Sequence, residues 1–277
     1  MKFSSKMILA GLASAMAVTS ASGFVATFPA GTFAPGMPGD VGAQIAGKDG
    51  WELEGDSLYD PSDARGLSYS NFLNSSLGAQ LGGNYFVPDP DANVYLYHAV
   101  SSQLQYTTFS VDFAIQSSNE FNPGRDAFGF SFRDSGGGNL LTISLVPYTS
   151  PTYPANDAYQ VKYTVGASPE VDALDTNGFP MFMFHNGLYS LGLGFTPNGA
   201  NPSFSATLTG SNAQTFSGVA TGLGSSTIGR VGMEWNLVGD GANNGIIVDN
   251  ISLVPEASTS AVICLAGLAL SFRRRRV

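Results

Sequence analysis

The chain has 277 residues, 43% of them hydrophobic and only 12% charged, with 34 Gly, 15 Pro and a formal net charge of −9. An acidic chain of this kind is repelled by the phosphates of nucleic acids, so DNA and RNA are excluded as partners. The one cysteine, Cys264, can form neither an internal disulfide nor a thiolate metal site, so the fold depends on an apolar core.

The first predicted element is a secretory signal peptide over residues 1–23. Two lysines within the first six residues precede an apolar run, 7–18, which is short of the roughly 20 residues needed to cross a bilayer. Small residues follow, and we expect cleavage between Ala21 and Gly23. The pattern predicts a signal helix that directs export by the Sec machinery, against the alternative of a buried first helix.

The middle of the chain, residues 24–253, is predicted to be all β. Short runs alternate between apolar and polar residues, are separated by Gly, Pro, Ser and Asn, and show no long helical periodicity. In the run Thr108–Gln116, for example, Phe109, Val111 and Phe113 share one face, as in a half-buried strand. Besides one short strand within Phe24–Gly50, strands are predicted at Trp51–Glu54, Asn93–Ala99, Thr108–Gln116, Tyr159–Val165, Met181–Phe184, Leu188–Phe195 and Phe204–Leu208.

Two further pairs of strands are predicted to form hairpins. Ala127–Arg133 and Leu140–Val146 flank a turn, 134–139, whose Gly and Asn residues tolerate positive φ. Arg230–Val238 and Ile246–Val254 flank a second turn rich in Gly and Asn. The total is about eleven to thirteen strands with no boundary between two apolar units. We therefore expect a single antiparallel sandwich of two sheets with jelly-roll topology, flanked by the signal helix and a C-terminal membrane helix.

The ends of this domain resemble the first and last strands of concanavalin A-like and laminin G-like sandwiches. Trp51 and Glu52 stand near the start and Val248–Leu253 near the end, and in those folds the terminal strands lie side by side. The resemblance implies a sandwich of that kind, with a galactose-binding-like jelly roll as the alternative. Residues 24–253 carry 6 basic and 20 acidic side chains, a net charge of −14 that suits an extracellular surface.

The last part of the chain, 254–277, has the three components of a membrane-directed tail. It begins with the short motif Val254, Pro255, Glu256, Ala257 and Ser258. An uncharged apolar segment, 260–272, follows. It is closed by the basic cluster Arg273, Arg274, Arg275 and Arg276. An apolar segment followed by arginines stops translocation, because arginine stays on the cytoplasmic side, so we predict a short membrane helix.

This tail resembles the PEP-CTERM sorting domain of exported Gram-negative bacterial proteins, many of them from species that form biofilms or a matrix. The resemblance implies that exosortase, a membrane cysteine transpeptidase, cuts near Pro255 and Glu256. The third position of the family's Pro-Glu-Pro motif is Ala257 here. The expected location is the cell envelope, the cell surface or the extracellular matrix, and an uncut membrane anchor is the alternative.

Glu52 and Glu54 are the candidates for catalysis. They alternate on one strand, which places both carboxylates on one face, and concanavalin A-like glycoside hydrolases also carry their carboxylate pair on one strand. The Glu-x-Asp-x-x-Glu spacing of those enzymes is absent, and Gly55 ends the run. We expect a solvent-facing acidic strand in a protein that is not an enzyme, with a secreted glycoside hydrolase as the alternative.

Asp89, Asp91 and Asn93 have the spacing of the first ligands of a calcium loop. Val94 and Val100 replace the glycine and the bidentate glutamate of an EF-hand, so a complete EF-hand is excluded. The prediction is a structural calcium ion held by fewer side chains, with a proline-constrained turn as the alternative. We expect no other cofactor.

The candidate ligand contacts are Tyr148, Tyr153, Tyr159 and Trp235, together with Asn236, because aromatic rings stack on the apolar faces of sugars and amides bind the hydroxyls. The alternative is that these rings belong to the core. Together the features favour an exported, non-catalytic sandwich that binds carbohydrate at the cell surface or in the matrix. A purely structural matrix protein without a specific ligand is the other possibility.

Overall fold

Within the residues that the computed structural model describes, the regular elements are sixteen β-strands in two antiparallel sheets. The described residues are 24–26, 50–55, 67–72, 76–82, 93–100, 106–117, 126–148, 158–184, 187–196, 203–210, 214–219, 228–236 and 244–255. The strands are β1 (Phe24–Ala26), β2 (Trp51–Gly55), β3 (Leu67–Phe72), β4 (Ser76–Gly82), β5 (Asn93–Ala99), β6 (Tyr106–Ser117), β7 (Ala127–Arg133), β8 (Asn139–Tyr148), β9 (Ala158–Val165), β10 (Val171–Asp172), β11 (Phe182–Phe184), β12 (Leu188–Thr196), β13 (Ser203–Thr209), β14 (Gln214–Val219), β15 (Arg230–Asn236) and β16 (Asn244–Pro255).

Each of the two sheets contains strands from both the beginning and the end of the chain. The first sheet runs β14-β13-β12-β6-β16-β4-β3, and β1 also pairs with β16. The second sheet runs β10-β9-β8-β7-β15-β5-β2, and β11 also pairs with β9. The predicted all-β fold, a two-sheet antiparallel jelly-roll sandwich, is confirmed.

Aromatic side chains from the two sheets meet in the core between them. β6 contributes Phe109 and Phe113 from the first sheet, and β7 contributes Phe130 and Phe132 from the second. The ring centroids of Phe109 and Phe132 are 4.8 Å apart, edge to face, and those of Phe113 and Phe130 are 5.1 Å apart. All four side chains are fully buried, and each contributes about 1.5–3 kcal/mol to folding. The period-2 pattern therefore identifies the buried face of these strands correctly.

One of the two predicted hairpins is confirmed and the other is wrong. β7 and β8 pair directly, and the Asp134 carboxylate closes their turn by accepting the backbone N–H of Gly136 at 2.8 Å and of Gly138 at 2.9 Å. β15 instead lies between β7 and β5 in the second sheet, whereas β16 lies beside β6 in the first. The chain changes sheets after β15, because the apolar faces of the two strands enter the core from opposite sides.

The first and last strands of the described chain are neighbours. β1 pairs antiparallel with β16, and Phe24 lies opposite Leu253. Trp51 lies on β2, the edge strand of the second sheet, and β2 pairs with β5. The prediction that the strand of Trp51 lies beside Val248–Leu253 is therefore wrong. The reason is that Trp51 enters the core from the opposite sheet to β16. β16 itself continues past the predicted domain limit to Pro255.

The sequence patterns do not predict β3, β4, β10 or β14. The β4 sequence, Ser76–Gly82, consists largely of Ser, Gly, Ala and Gln. Leu77, Ala79 and Leu81 do alternate in β4, but Gly78 and Gly82 between and after them weaken the strand signal. These strands owe their conformation to pairing with stronger neighbours, as β4 pairs with β16.

Several predicted features lie outside the described residues. They are the signal helix 1–23, the motif residues Glu256, Ala257 and Ser258, the apolar segment 260–272, and Arg273, Arg274, Arg275 and Arg276. In the part of the chain that the structure describes, no helix has the length and apolar character needed to span a membrane. Export, membrane attachment and processing therefore stay predictions.

Candidate functional site

Charged and aromatic side chains cluster on the outer face of the second sheet, where β2, β5, β15 and β7 lie side by side. On β2, Trp51 and Leu53 turn toward the core, so Glu52 and Glu54 point outward, as their alternation predicts. Beside them lies a cavity of about 430 Å³, which we call the polar cleft. Its lining residues are Glu54, Asn93, Val94, Tyr95, Arg133, Glu234 and Asn236.

Tyr95 of β5 reaches across the neighbouring strand β15. Its hydroxyl donates to the carbonyl oxygen of Ser131 on β7 at 3.3 Å. The ring passes over Gly232, where an added Cβ would lie 2.8 Å from Tyr95 Cε2 and 2.3 Å from the carbonyl oxygen of Leu96. Only glycine leaves room for this close approach. Burial raises the pKa of the Tyr95 hydroxyl by removing it from water.

Tyr97 lies beside Tyr95 on the same face, and the two rings are stacked with centroids 5.1 Å apart. The Tyr97 hydroxyl donates to Glu52 Oε2 at 2.8 Å. Burial first, and this hydrogen bond second, raise the pKa of Tyr97, so its hydroxyl remains a neutral donor at physiological pH.

Arg133 is positioned over Tyr95. Its guanidinium carbon lies 3.8 Å from the centre of the Tyr95 ring, a cation–π contact. Its Nη2 donates to Glu234 Oε1 at 2.9 Å, and its Nη1 lies 3.7 Å from Glu54 Oε1. Its buried Nε has no hydrogen-bond partner among the described residues. The cleft thus contains a fixed cation between two carboxylates, with donor capacity remaining.

Arg230 repeats this arrangement beside Tyr97. Its guanidinium carbon lies 4.7 Å from the centre of the Tyr97 ring, and its Nη1 donates to Glu54 Oε2 at 2.6 Å. Glu54 is therefore shared by both arginines of the cluster, although half of its side chain is exposed. Three carboxylates and two guanidinium groups give the cluster a net charge of −1.

Both candidate catalytic carboxylates already have polar partners. Glu52 accepts a hydrogen bond from Tyr97, and Glu54 forms ion pairs with the two arginines. A glycosidase needs one carboxyl group that donates a proton and a second that attacks the sugar or activates water. The observed contacts instead orient Glu52 toward the Tyr97 hydroxyl and Glu54 toward the two arginines.

The four candidate aromatics have different locations. Tyr159 is fully buried in the core, so its assignment as a ligand contact is corrected. Tyr148 lies on the outer face of β8, where it contacts Phe182 at a centroid distance of 4.7 Å. Trp235 is only 2% exposed, and its indole N–H donates to Asp126 Oδ2 at 2.9 Å. Because Trp235 belongs to the core and has no accessible ring face, its assignment as a ligand contact is corrected. Tyr153 lies outside the described residues.

The predicted calcium loop is described only at its last member. Asn93 begins β5, is exposed, and lies opposite Asn236 at the cleft. Asp89 and Asp91 lie outside the described residues. Among the described side chains, no group of three or more His, Cys, Asp or Glu could hold a metal ion.

Most residues of the polar cleft were not identified from the sequence. Those missed are Tyr95, Arg133 and Glu234, and, beside the cleft, Tyr97 and Arg230, whereas the candidate Asn236 does line the cleft. One signal was present: residues 24–253 contain only 6 basic side chains, and two of these, Arg133 and Arg230, end or begin strands that are otherwise apolar. Charged residues in such positions lie on an outer face and are candidates for a binding site.

Comparison with known proteins gives similarities in architecture only. No known family profile matches the sequence. No curated protein matches it by sequence. Among solved structures, the alginate lyase from Klebsiella pneumoniae superposes with a TM-score of 0.49 at 10% identity, covering 75% of this chain and 96% of the lyase.

Two further solved structures show similar values. The CBM2 module of the evolved Dit protein of Lactobacillus casei BL23 phage J-1 has a TM-score of 0.49 and 12% identity, covering 79% of this chain and 95% of the module. Peanut lectin has a TM-score of 0.48 and 11% identity, covering 86% of this chain and all of the lectin. We draw no functional conclusion from similarities at this level, so the cleft must be interpreted from its own side chains.

Proposed function

We propose that the polar cleft binds a carbohydrate. One observation carries the proposal: a guanidinium group, two carboxylates and two amides line a single cavity of about 430 Å³. These groups match the hydroxyls of a sugar, which both donate and accept hydrogen bonds. The volume also falls within the range of small-ligand sites, roughly 300–1,000 Å³.

The polar groups of the cleft are positioned before a ligand arrives. Arg133 is restrained by Tyr95 and Glu234, with 20% of its side chain exposed. Immobilising a flexible side chain costs about 0.5–1.5 kcal/mol of binding free energy, so ion pairing in the free protein favours affinity. A pair of neighbouring hydroxyls could accept from Arg133 and donate to Glu234.

The test is a glycan array followed by calorimetric titration of the full chain with the glycans that bind. Glu234→Gln and Arg133→Met alter the cleft. Glu170→Gln is the matched control, because Glu170 is also a surface carboxylate in an ion pair, 3.7 Å from Lys162 at the far edge of the sheet. We expect the cleft variants to lose about tenfold or more in affinity, or about 1.4 kcal/mol, and the control to bind normally. Unchanged affinity in both cleft variants would refute the proposal.

A glycoside hydrolase is the second candidate, because Glu52 and Glu54 share one face of β2 beside the cleft. Incubation with a panel of β-glucans and galactans separates the two functions. Released sugar that disappears in the Glu52→Gln variant would support hydrolysis. Binding without any released product would support the non-catalytic function.

We also propose that the domain is exported by the Sec machinery and sorted by exosortase to the surface of a Gram-negative cell. β1 begins at Phe24, directly after the predicted cleavage stretch, and pairs with Ile251–Leu253. Antiparallel pairing places the start of β1 beside the end of β16. Both predicted cleavage sites would therefore lie at the same end of the sandwich. This proximity supports a mature domain delimited by cleavage at both ends.

Intact-mass spectrometry of protein from the membrane and medium fractions of the native host tests this proposal. We expect a chain that starts near residues 22–24 and ends near residues 254–256. A mass that retains Arg273–Arg276 in both fractions would contradict sorting by cleavage. A mass that retains residues 1–23 would contradict the signal peptide.

A further inference from the structure

The outer face of the second sheet carries a second feature, far from the polar cleft. Tyr148 at the end of β8 contacts Phe182 of β11, with ring centroids 4.7 Å apart and ring planes at 58°. Tyr159 and Met183, which neighbour them on the paired strands, are fully buried, so alternation directs Tyr148 and Phe182 outward. Phe184 follows on the same face and is 53% exposed. We call these three outward residues the aromatic patch.

The register of the strands aligns the polar cleft with the aromatic patch. One row of outward positions crosses the sheet at right angles to the strands. Strand by strand from β15 to β11, the row is Asn236, Ala127, Val146, Gln160 and Phe182. It crosses four inter-strand spacings, a distance of about 19 Å at the usual spacing of antiparallel strands.

Beside the cleft, the outer face of β7 carries small side chains. Its outward positions before Arg133 are Ala127, Gly129 and Ser131, of which Ala127 is partly exposed and the other two are buried. Gly129 pairs with Glu234 of the cleft on one side and with Ser144 of β8 on the other. At Ala127, therefore, no bulky side chain of β7 separates the cleft from β8, and a ligand that crosses there would next meet the partly exposed Val146 and Gln160.

We propose that this face binds an extended oligosaccharide that crosses the strands, with one segment in the polar cleft and another stacked on the aromatic patch. The inference rests on the proposed carbohydrate binding and adds a second contact region to it. A path of about 19 Å exceeds what a mono- or disaccharide covers, so the ligand has more than two linked sugar units. Tyr148 and Phe182 would provide apolar ring faces for the distant sugar units.

The negative charge of the cleft and of the whole domain favours a neutral polysaccharide as the ligand. The cluster at the cleft has a net charge of −1, and residues 24–253 carry −14. Uronic acid or sulfated chains would be repelled by this field. Lys162, an outward cation on β9, is already paired with Glu170 at 3.7 Å and Asp172 at 3.4 Å. The proposed ligand is therefore a neutral glycan of several linked pyranoses.

The test measures how affinity depends on ligand length. The full chain is titrated with a neutral oligosaccharide series, from monosaccharide to hexasaccharide, built from the backbone that binds best on the array. Tyr148→Ala and Phe182→Ala remove the aromatic contacts. Phe179→Ala is the matched control, because Phe179 is 68% exposed but lies in the connection between β10 and β11, outside the row. Tyr148→Phe retains the ring and serves as the conservative variant.

We expect the affinity of the wild type to rise with ligand length until the aromatic patch is reached. Tyr148→Ala and Phe182→Ala should then lower the affinity for the longest ligands by about three- to tenfold and leave the affinity for the shortest ligands unchanged. The variants Phe179→Ala and Tyr148→Phe should bind ligands of every length as the wild type does. Equal loss for short and long ligands, or no rise with length in the wild type, would overturn the extended path but leave binding at the cleft intact. Absence of binding at every length would overturn both proposals. Thermal melting of each variant shows whether it is folded.

Discussion

The guanidinium carbon of Arg133 lies over the Tyr95 ring, 3.8 Å from its centre. The contact joins β7 to β5, although β15 lies between them in the sheet. A charged group is thereby held against a buried ring on the outer face of the second sheet, whose inner face packs into the apolar core. Such a contact favours arginine strongly over lysine, because the ammonium group has no plane to stack.

Replacement of Arg133 by lysine should therefore impair the site while preserving charge. Lysine can pair with Glu234 but cannot keep the stacked contact with Tyr95 at the same time. We expect a loss of about 1 kcal/mol in unfolding free energy and a loss of glycan affinity. Urea denaturation and calorimetric titration measure the two effects. If Arg133→Lys matched the wild type in both, stacking would have no role in the cleft.

Gly232→Ala should destabilise the domain through a direct clash. The new Cβ would lie 2.3 Å from the Leu96 carbonyl oxygen, which belongs to the backbone of a central strand and cannot move freely. Overpacking of this kind costs about 1–3 kcal/mol, measurable as a lower urea midpoint.

Gly192→Ala is the control for this experiment. Gly192 also lies within a strand, β12, but a Cβ there would meet only the Thr207 carbonyl oxygen, at 3.9 Å. We expect its urea midpoint to stay close to that of the wild type. Equal midpoints for the variants at 192 and 232 would contradict the packing argument.

Alternation in the sequence predicts a large part of the fold. β5 and β7 have the predicted bounds, and the aromatic residues of β7 are buried as expected. The same alternation rule predicts that Trp235 is buried, because it lies two and four residues from Met233 and Val231 and so shares their buried face. The prediction that Trp235 contacts a ligand is wrong because it uses the residue type and ignores this alternation.

The polar cleft could not be assembled from the sequence. Arg133 and Glu234 are 101 residues apart, and they meet because β15 inserts between β5 and β7. Strand insertion of this kind depends on tertiary packing, which local patterns do not encode. The sequence favoured a hairpin of β15 with β16, and that pairing would have separated the two residues.

The hydrogen bond from Trp235 to Asp126 should contribute measurably to stability. Asp126→Ala would leave the indole N–H without this acceptor in the core, at a cost of about 1–3 kcal/mol. Asp126→Asn keeps a carbonyl oxygen for the bond and should cost less. Trp235 is one of two tryptophans, so its fluorescence follows unfolding directly. A loss as large for asparagine as for alanine would show that the bond to Trp235 does not account for the effect.

The carboxylate of Asp175 should give the connection between β10 and β11 a pH-dependent order. Its Oδ1 accepts the backbone N–H of Phe179 at 2.9 Å and of Asn177 at 2.8 Å. These bonds, that from Phe179 first, lower the pKa of Asp175. The stabilisation is present above the unfolded pKa of about 3.9 and is lost as the pH falls through the lower folded value.

NMR titration of the Asp175 carboxyl carbon and the Phe179 amide from neutral to acidic pH would measure this effect. We expect both signals to change together at a pH below the usual aspartate range, and the Phe179 amide to shift little in the Asp175→Asn variant. Because Asp175 is exposed, the global unfolding free energy should hardly change, so the transition is local. Titration of Asp175 at the usual aspartate pKa, or an unchanged Phe179 response in the variant, would show that the two backbone hydrogen bonds do not hold the carboxylate in its charged form.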